Sequence, residues 1–192
     1  MYKNSLNLRN VATIVACLAV TMFFSTCKSK KRDKDQDSKV GVIKASEVIS
    51  ESNASAIIVQ NVISSEESKE YFSDVITYRT KDYSFGVKVA QETLHDTKSN
   101  FEKSLIKKGW KSYLSDMEKN LAAASTEVNV GGGKAYLQDA GILMLYIFYK
   151  DYYITLSLYS YGSAQEDNSW KKQRLTEGGK VAVINLENIL RK

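Results

Sequence analysis

The chain has no proline, a single histidine and two cysteines in 192 residues. Without proline, its turns have to be made by Gly, Asn, Asp and Ser. With His95 as the sole histidine, a His-pair metal site within one chain is excluded. Cys17 and Cys27 both fall in the first 27 residues. The rest of the chain therefore has no disulfide, no thiolate nucleophile and no Cys-based zinc site. It must be held by its core alone, which a domain of about 150 residues can do. A charge excess is missing too. Of the formal +5, Lys3 and Arg9 supply two, and residues 28–39, with six Lys/Arg and three Asp, supply three. Residues 40–192 are neutral overall. A nucleic-acid-binding protein carries its basic excess on the folded domain, so no nucleic-acid partner is expected.

Recognisable catalytic motifs are missing as well. Gly131-Gly132-Gly133-Lys134 suggests a phosphate loop, but Val128 stands where the first glycine belongs and Ala135 where Ser or Thr belongs. This stretch reads as a β-turn. His95 beside Asp96 has the composition of a base with its orienting carboxylate, yet a lone His at a polar helix entry reads as solvated. No serine sits in a nucleophile elbow. No cofactor, metal site or catalytic residue is expected from the sequence.

What the sequence does contain begins at residues 11–27, VATIVACLAVTMFFSTC. This charge-free run follows Lys3 and Arg9, ends at Cys27, and gives way at once to Lys28-Ser29-Lys30-Lys31-Arg32-Asp33-Lys34. A basic n-region followed by an apolar h-region is the layout of an export signal. Ending at a cysteine, it resembles the signal peptide of bacterial lipoproteins. The family prefers Leu three positions before the cysteine and a small residue just before it, and this chain has Phe24, Ser25 and Thr26. The resemblance implies diacylglycerol on Cys27 and cleavage before it, which gives a membrane-anchored protein of the cell envelope. In that family an Asp after the cysteine retains the protein at the inner membrane. Lys28 stands there instead, so the outer membrane is open to it. Ile14-Val15-Ala16-Cys17 also fits the letters, but leaves an h-region of about six residues against the usual 7–15 or so.

Two alternatives stand beside this reading. Seventeen apolar residues is the short end of the roughly 17–25 that span a bilayer, and the basic cluster after Cys27 resists translocation. An uncleaved helix of that kind leaves the domain in the cytoplasm. The other alternative is a plain cleaved signal.

The organisation expected is therefore a signal over 1–27, a flexible basic tether over 28–41 and one domain over 42–192. In the domain, β-branched residues and a seven-residue recurrence compete over 42–63. The balance predicts a helix over 44–52 and a buried strand over 56–63. Ser64 and Glu67 form a capping box for a short helix through Phe72. Tyr83, Phe85, Val87 and Val89 alternate with smaller or polar residues as a half-buried strand, with Val75–Arg79 as its hairpin partner. Ser99 and Glu102 cap a helix carrying Phe101 and Leu105. Lys107, Lys108 and Gly109 end it. A second helix runs from Ser115 through Ala124. Strand segments follow from Thr126 to Ser160, and a helix returns over 174–190. Gly178 and Gly179 weaken that helix by about 1 kcal/mol each relative to Ala.

The last hairpin can be read to its register. A loop centred on Lys150-Asp151 pairs Tyr149 with Tyr152, Ile147 with Ile154, Leu145 with Leu156 and Leu143 with Leu158. That aliphatic strip should face the core. The opposite face carries Tyr146, Phe148, Tyr153 and Tyr159, amphipathic rings of the kind enriched at interfaces. These four are the candidate binding residues, to lie either exposed as a binding surface or under a helix. The fold class expected is α+β, an antiparallel sheet of about five or six strands with helices on one face. In outline the order of elements resembles PsbP/Mog1-type domains. Two functions follow. One is a non-enzymatic envelope lipoprotein that binds a partner protein or small ligand on its sheet. The other is a lipid-tethered hydrolase whose carboxylates meet only in three dimensions.

Overall fold

The hairpin around Lys150 has the expected register, from Tyr149↔Tyr152 to Leu143↔Leu158. In the computed structural model, which describes residues 42–70, 72–92, 109–139, 141–161 and 168–192, this hairpin sits inside a larger sheet. The elements are α1 (Ala45–Val48), α2 (Glu51–Ile58), β1 (Ser64–Glu70), β2 (Ser73–Arg79), β3 (Tyr83–Ala90), α3 (Trp110–Ala124), β4 (Thr126–Glu127), β5 (Lys134–Asp139), β6 (Leu143–Tyr149), β7 (Tyr152–Ser160) and α4 (Asn168–Leu190). The fold is α+β. Among the described residues the sheet has seven strands rather than five or six, in the order β1-β2-β3-β7-β6-β5-β4. Every neighbouring pair is antiparallel.

One face of the sheet is closed by α1, α2 and α4. Phe85, Val87, Val89, Leu145, Ile147, Ile154 and Leu156 have no exposed surface there. Each such aliphatic side chain contributes about 1.5–3 kcal/mol by burial. Gly178 and Gly179 explain themselves in this layer. A Cβ on Gly179 would lie 2.7 Å from both Leu145 Cδ2 and Val130 Cγ1, and one on Gly178 would lie 3.3 Å from Leu156 Cδ1. The two glycines lower helix propensity and in return bring the α4 backbone against the middle of the sheet.

Residues 42–63 form no strand, contrary to the expectation for 56–63. They form α1 and α2, separated at Ser50, which caps α2 by accepting from Asn53 N. Burial of Ala54, Ile57 and Ile58 on one side of α2, with Ile57 against Gly178 of α4, outweighs the β-branched propensity, while four tertiary hydrogen bonds pin the chain on either side of α1. Gln91 holds Ile43 on both sides, accepting from its N at 2.9 Å and donating to its O at 2.7 Å. Asp74 Oδ2 accepts from Ala45 N at 2.7 Å, and Tyr78 donates to Ile49 O. The short helix expected from Ser64 is also overturned. That stretch is β1, exposed at all seven positions and held by its ladder to β2.

Helices cover both faces, which corrects the one-sided arrangement. α3 lies on the second face and begins at Trp110, five residues before the expected start. Gly109 precedes it at φ +93°. Trp110 Nε1 donates to Asp151 O at 2.7 Å, which ties the start of α3 to the turn between β6 and β7. Cys27, the 28–41 tether, His95 with Asp96 and the helix expected from Ser99 lie outside the described residues.

Candidate functional site

On the second face, strand alternation brings small and polar side chains into line. β2 presents Ser73, Val75 and Thr77, β3 presents Gly86 and Lys88, β7 presents Tyr153, Thr155 and Ser157, and β6 presents Met144 and Tyr146. The ladders set them side by side: Thr77 beside Gly86, Gly86 beside Ser157 and Ser157 beside Met144. Lys88 lies between Val75 and Thr155, and Tyr146 follows Thr155. α3 crosses only one end of this surface, over Ala90, Tyr136, Phe148 and Tyr153. Its Tyr113 and Met117 form a wall beside the remainder, which no described helix covers. The result is a groove of about 620 Å³, within the roughly 300–1,000 Å³ of small-molecule sites.

Gly86 keeps the floor low. A Cβ there would stand 2.5 Å from Ser157 Oγ. A glycine inside a strand weakens it and often marks a place where something approaches closely. At the α3 end the groove is walled by aromatic rings. Phe72 meets Trp110 and Tyr113 edge to face, with centroids 5.2 and 5.1 Å apart, and Tyr146 stacks on Tyr153 at 6.1 Å. Burial raises the pKa of Tyr113, Tyr146 and Tyr153, so these phenols stay neutral near pH 7 and act as hydrogen-bonding groups. Tyr146 already donates to Gln138 Oε1 at 3.1 Å.

Two polar features stand at the Phe72 end. Lys88 Nζ pairs with Glu70 Oε2 at 3.1 Å, both part-exposed. Ser73 is 1% exposed, and its Oγ has no hydrogen-bond partner. A buried hydroxyl without a partner costs about 1–3 kcal/mol, so Ser73 is an open demand in the groove lining. Among the described residues no three His, Cys, Asp or Glu side chains gather as a metal site would require.

The four aromatic candidates divide. Tyr146 is half-buried and Tyr153 is 6% exposed, and both line the groove. Phe148 is buried beneath α3 at 7% and serves as packing. Tyr159 is 50% exposed, pairs edge-on with Tyr161 and lies beyond the groove. They are not one contiguous surface. Sequence reasoning missed Gly86, Ser73, Lys88, Met117 and Tyr113. The one available signal was Gly86, an isolated glycine in a strand pattern. Nothing in the sequence tied α3 to this face.

Comparison with protein-family models, with curated proteins and with solved structures gives no match to the chain. Neither the lipoprotein resemblance nor the PsbP/Mog1-type outline gains support from it.

Proposed function

We propose that this is a lipid-anchored cell-envelope protein, attached through Cys27, whose sheet groove binds a ligand without chemical conversion. The observation that carries the reading is the groove itself, with a glycine floor, aromatic and thioether walls and a buried hydroxyl without a partner. Thioethers suit such a site because they adapt to irregular apolar shapes. The anchor rests on the charge-free run, the basic n-region and the abrupt polar start after Cys27. No described helix is long and apolar enough to cross a membrane.

The chain has four methionines, and both of those in the described domain, Met117 and Met144, line the groove. The full chain, ¹³C-methyl-labelled at methionine and held in phosphatidylcholine nanodiscs, is titrated with the neutral apolar dye Nile red. Saturable shifts at Met117 and Met144, lost in Gly86→Leu, are expected. No shift, or a shift that survives Gly86→Leu, would sink the binding reading. Intact-mass measurement of the membrane-extracted protein tests the anchor, with Cys27→Ala as control. A chain retaining residues 1–26, or a cleaved chain with bare Cys27, would overturn it.

A further inference from the structure

We infer that the groove takes a single-chain amphiphile with a compact anionic head, its apolar chain against Met117, Met144 and Tyr146 and its head at Ser73 and Lys88. This rests on the groove being a binding site and adds the chemistry of what fills it. The apolar side of the argument is the wall. The thioethers and aromatic rings enclose a space of small-molecule size, half-roofed by α3, rather than a flat surface suited to a protein partner. The exposed edge strand β1, which suits an extended polypeptide, contributes only Glu70 to the groove.

The head is read from two groups. Ser73 lines the groove, its Oγ is buried without a partner, and that hydroxyl donates to an anion once the side chains sealing it from solvent shift aside. Lys88 reaches the same end of the groove from β3, where it holds Glu70 at 3.1 Å. An ammonium has three donors, and a part-exposed surface pair holds weakly. Glu70 stands on the exposed edge strand and can turn to solvent. A ligand anion then takes its place on Lys88 in a more enclosed setting, where a charge-assisted hydrogen bond is stronger. Glu70 is on this account a competitor of the ligand, and its removal should help binding.

The test follows the Met117 and Met144 methyl signals of the same full-chain nanodisc sample. The probes are dodecanoate, dodecyl phosphate and the neutral dodecanol, all below micellar concentrations, and an apolar peptide as the polypeptide control. Either anion should bind more tightly than dodecanol, and the tighter one tells a free fatty acid from a phosphorylated lipid. Lys88→Met should weaken the anions roughly tenfold and leave dodecanol unchanged. Glu70→Gln should tighten them about two- to threefold. A merely structural salt bridge would not give opposite signs for its two partners. Equal binding of all three probes, or like effects of both substitutions, would overturn the anionic head even if Nile red still binds. Shifts produced only by an apolar peptide and by neither alkyl anion would assign the groove to a polypeptide and overturn the proposal. Failure of Nile red itself removes the groove reading, so the two failures are separable.

Discussion

The two faces of the sheet are made by alternate residues of the same strands, yet they are closed in different ways. On the α4 face, Leu145, Ile147, Ile154 and Leu156 are sealed by three helices, and two glycines let α4 settle directly on them. On the α3 face, one helix covers the end nearest the β6–β7 turn and leaves Thr77, Gly86, Ser157 and Met144 half-buried. Glycine serves opposite purposes on the two sides. On α4 it removes a gap between layers, and at position 86 it preserves one. Stability is therefore concentrated on one face, and the other can tolerate the small, polar lining that a binding groove needs.

That contrast can be broken most directly with charge. Leu145→Asp should abolish folding, because an unpaired carboxylate would enter a dry aliphatic layer. Ser157→Asp, in the adjoining strand but on the groove side, should leave a cooperative far-UV melting transition. Equal loss of both transitions would mean that the faces do not differ as described.

Alkaline titration sharpens the comparison next. Tyr78 lies on the closed face, and burial first, then the charges of Glu51 and Glu67, push its pKa up to about 12. A raised folded-state pKa means stability that is complete below pH 10 or so and is lost as pH rises toward 12. That loss should be on the order of 2–3 kcal/mol. Urea midpoints measured from pH 9 to 12 should fall, and fall less steeply in Tyr78→Phe, where the burial-raised Tyr113, Tyr146 and Tyr153 still contribute. An unchanged slope in the variant would remove Tyr78 as its source.

Matched glycine replacements should give a smaller contrast. Gly179→Val has to displace Leu145 and Val130 and should cost about 1–3 kcal/mol. Gly86→Val meets only the Ser157 hydroxyl and suits a strand, so it should stay within about 1 kcal/mol of wild type. Chemical denaturation of both variants is the check, and a reversed ranking would contradict the packing described. The smallest effect belongs to the outer edge. Glu66→Ala, which breaks the exposed pair with Arg79, should leave the urea midpoint unmoved.

How far the sequence could be read follows the same division. The β6–β7 register was legible because an uninterrupted aliphatic strip and a mixed strip leave one pairing that buries the first. The β2–β3 hairpin was legible for the same reason, and so was the aliphatic spacing of α4. Local signals failed where distant partners decide. The β-branched run at 56–63 reads as strand, but Ile57 and Ile58 are buried as part of α2, with Ile57 against Gly178 of α4, a partner more than a hundred residues away. Ser64 and Glu67 have the letters of a capping box, yet SSEESKE offers no apolar stripe for a helix to bury, and its backbone pairs with β2. The groove was half legible. The alternation put Tyr146 and Tyr153 on the correct side, but which end of that side α3 covers depends on Trp110 reaching Asp151, a contact between residues 41 positions apart in sequence.

The strand order carries a consequence for the timing of folding. β1 to β3 and β4 to β7 are two meanders whose internal pairings are all between sequence neighbours. Their hairpins can form on a microsecond scale of about 1–10 μs. The junction between them, β3 against β7, joins residues more than sixty positions apart, and a loop of that length is closed at an entropic cost. The junction is therefore the slow event, and this domain should fold more slowly than a helical one of equal size. Gly86 and Ser157, and likewise Lys88 and Thr155, face each other across that same junction. The groove floor does not exist until the two meanders have met. A ligand seated across it recognises only the finished molecule and raises its unfolding midpoint by mass action.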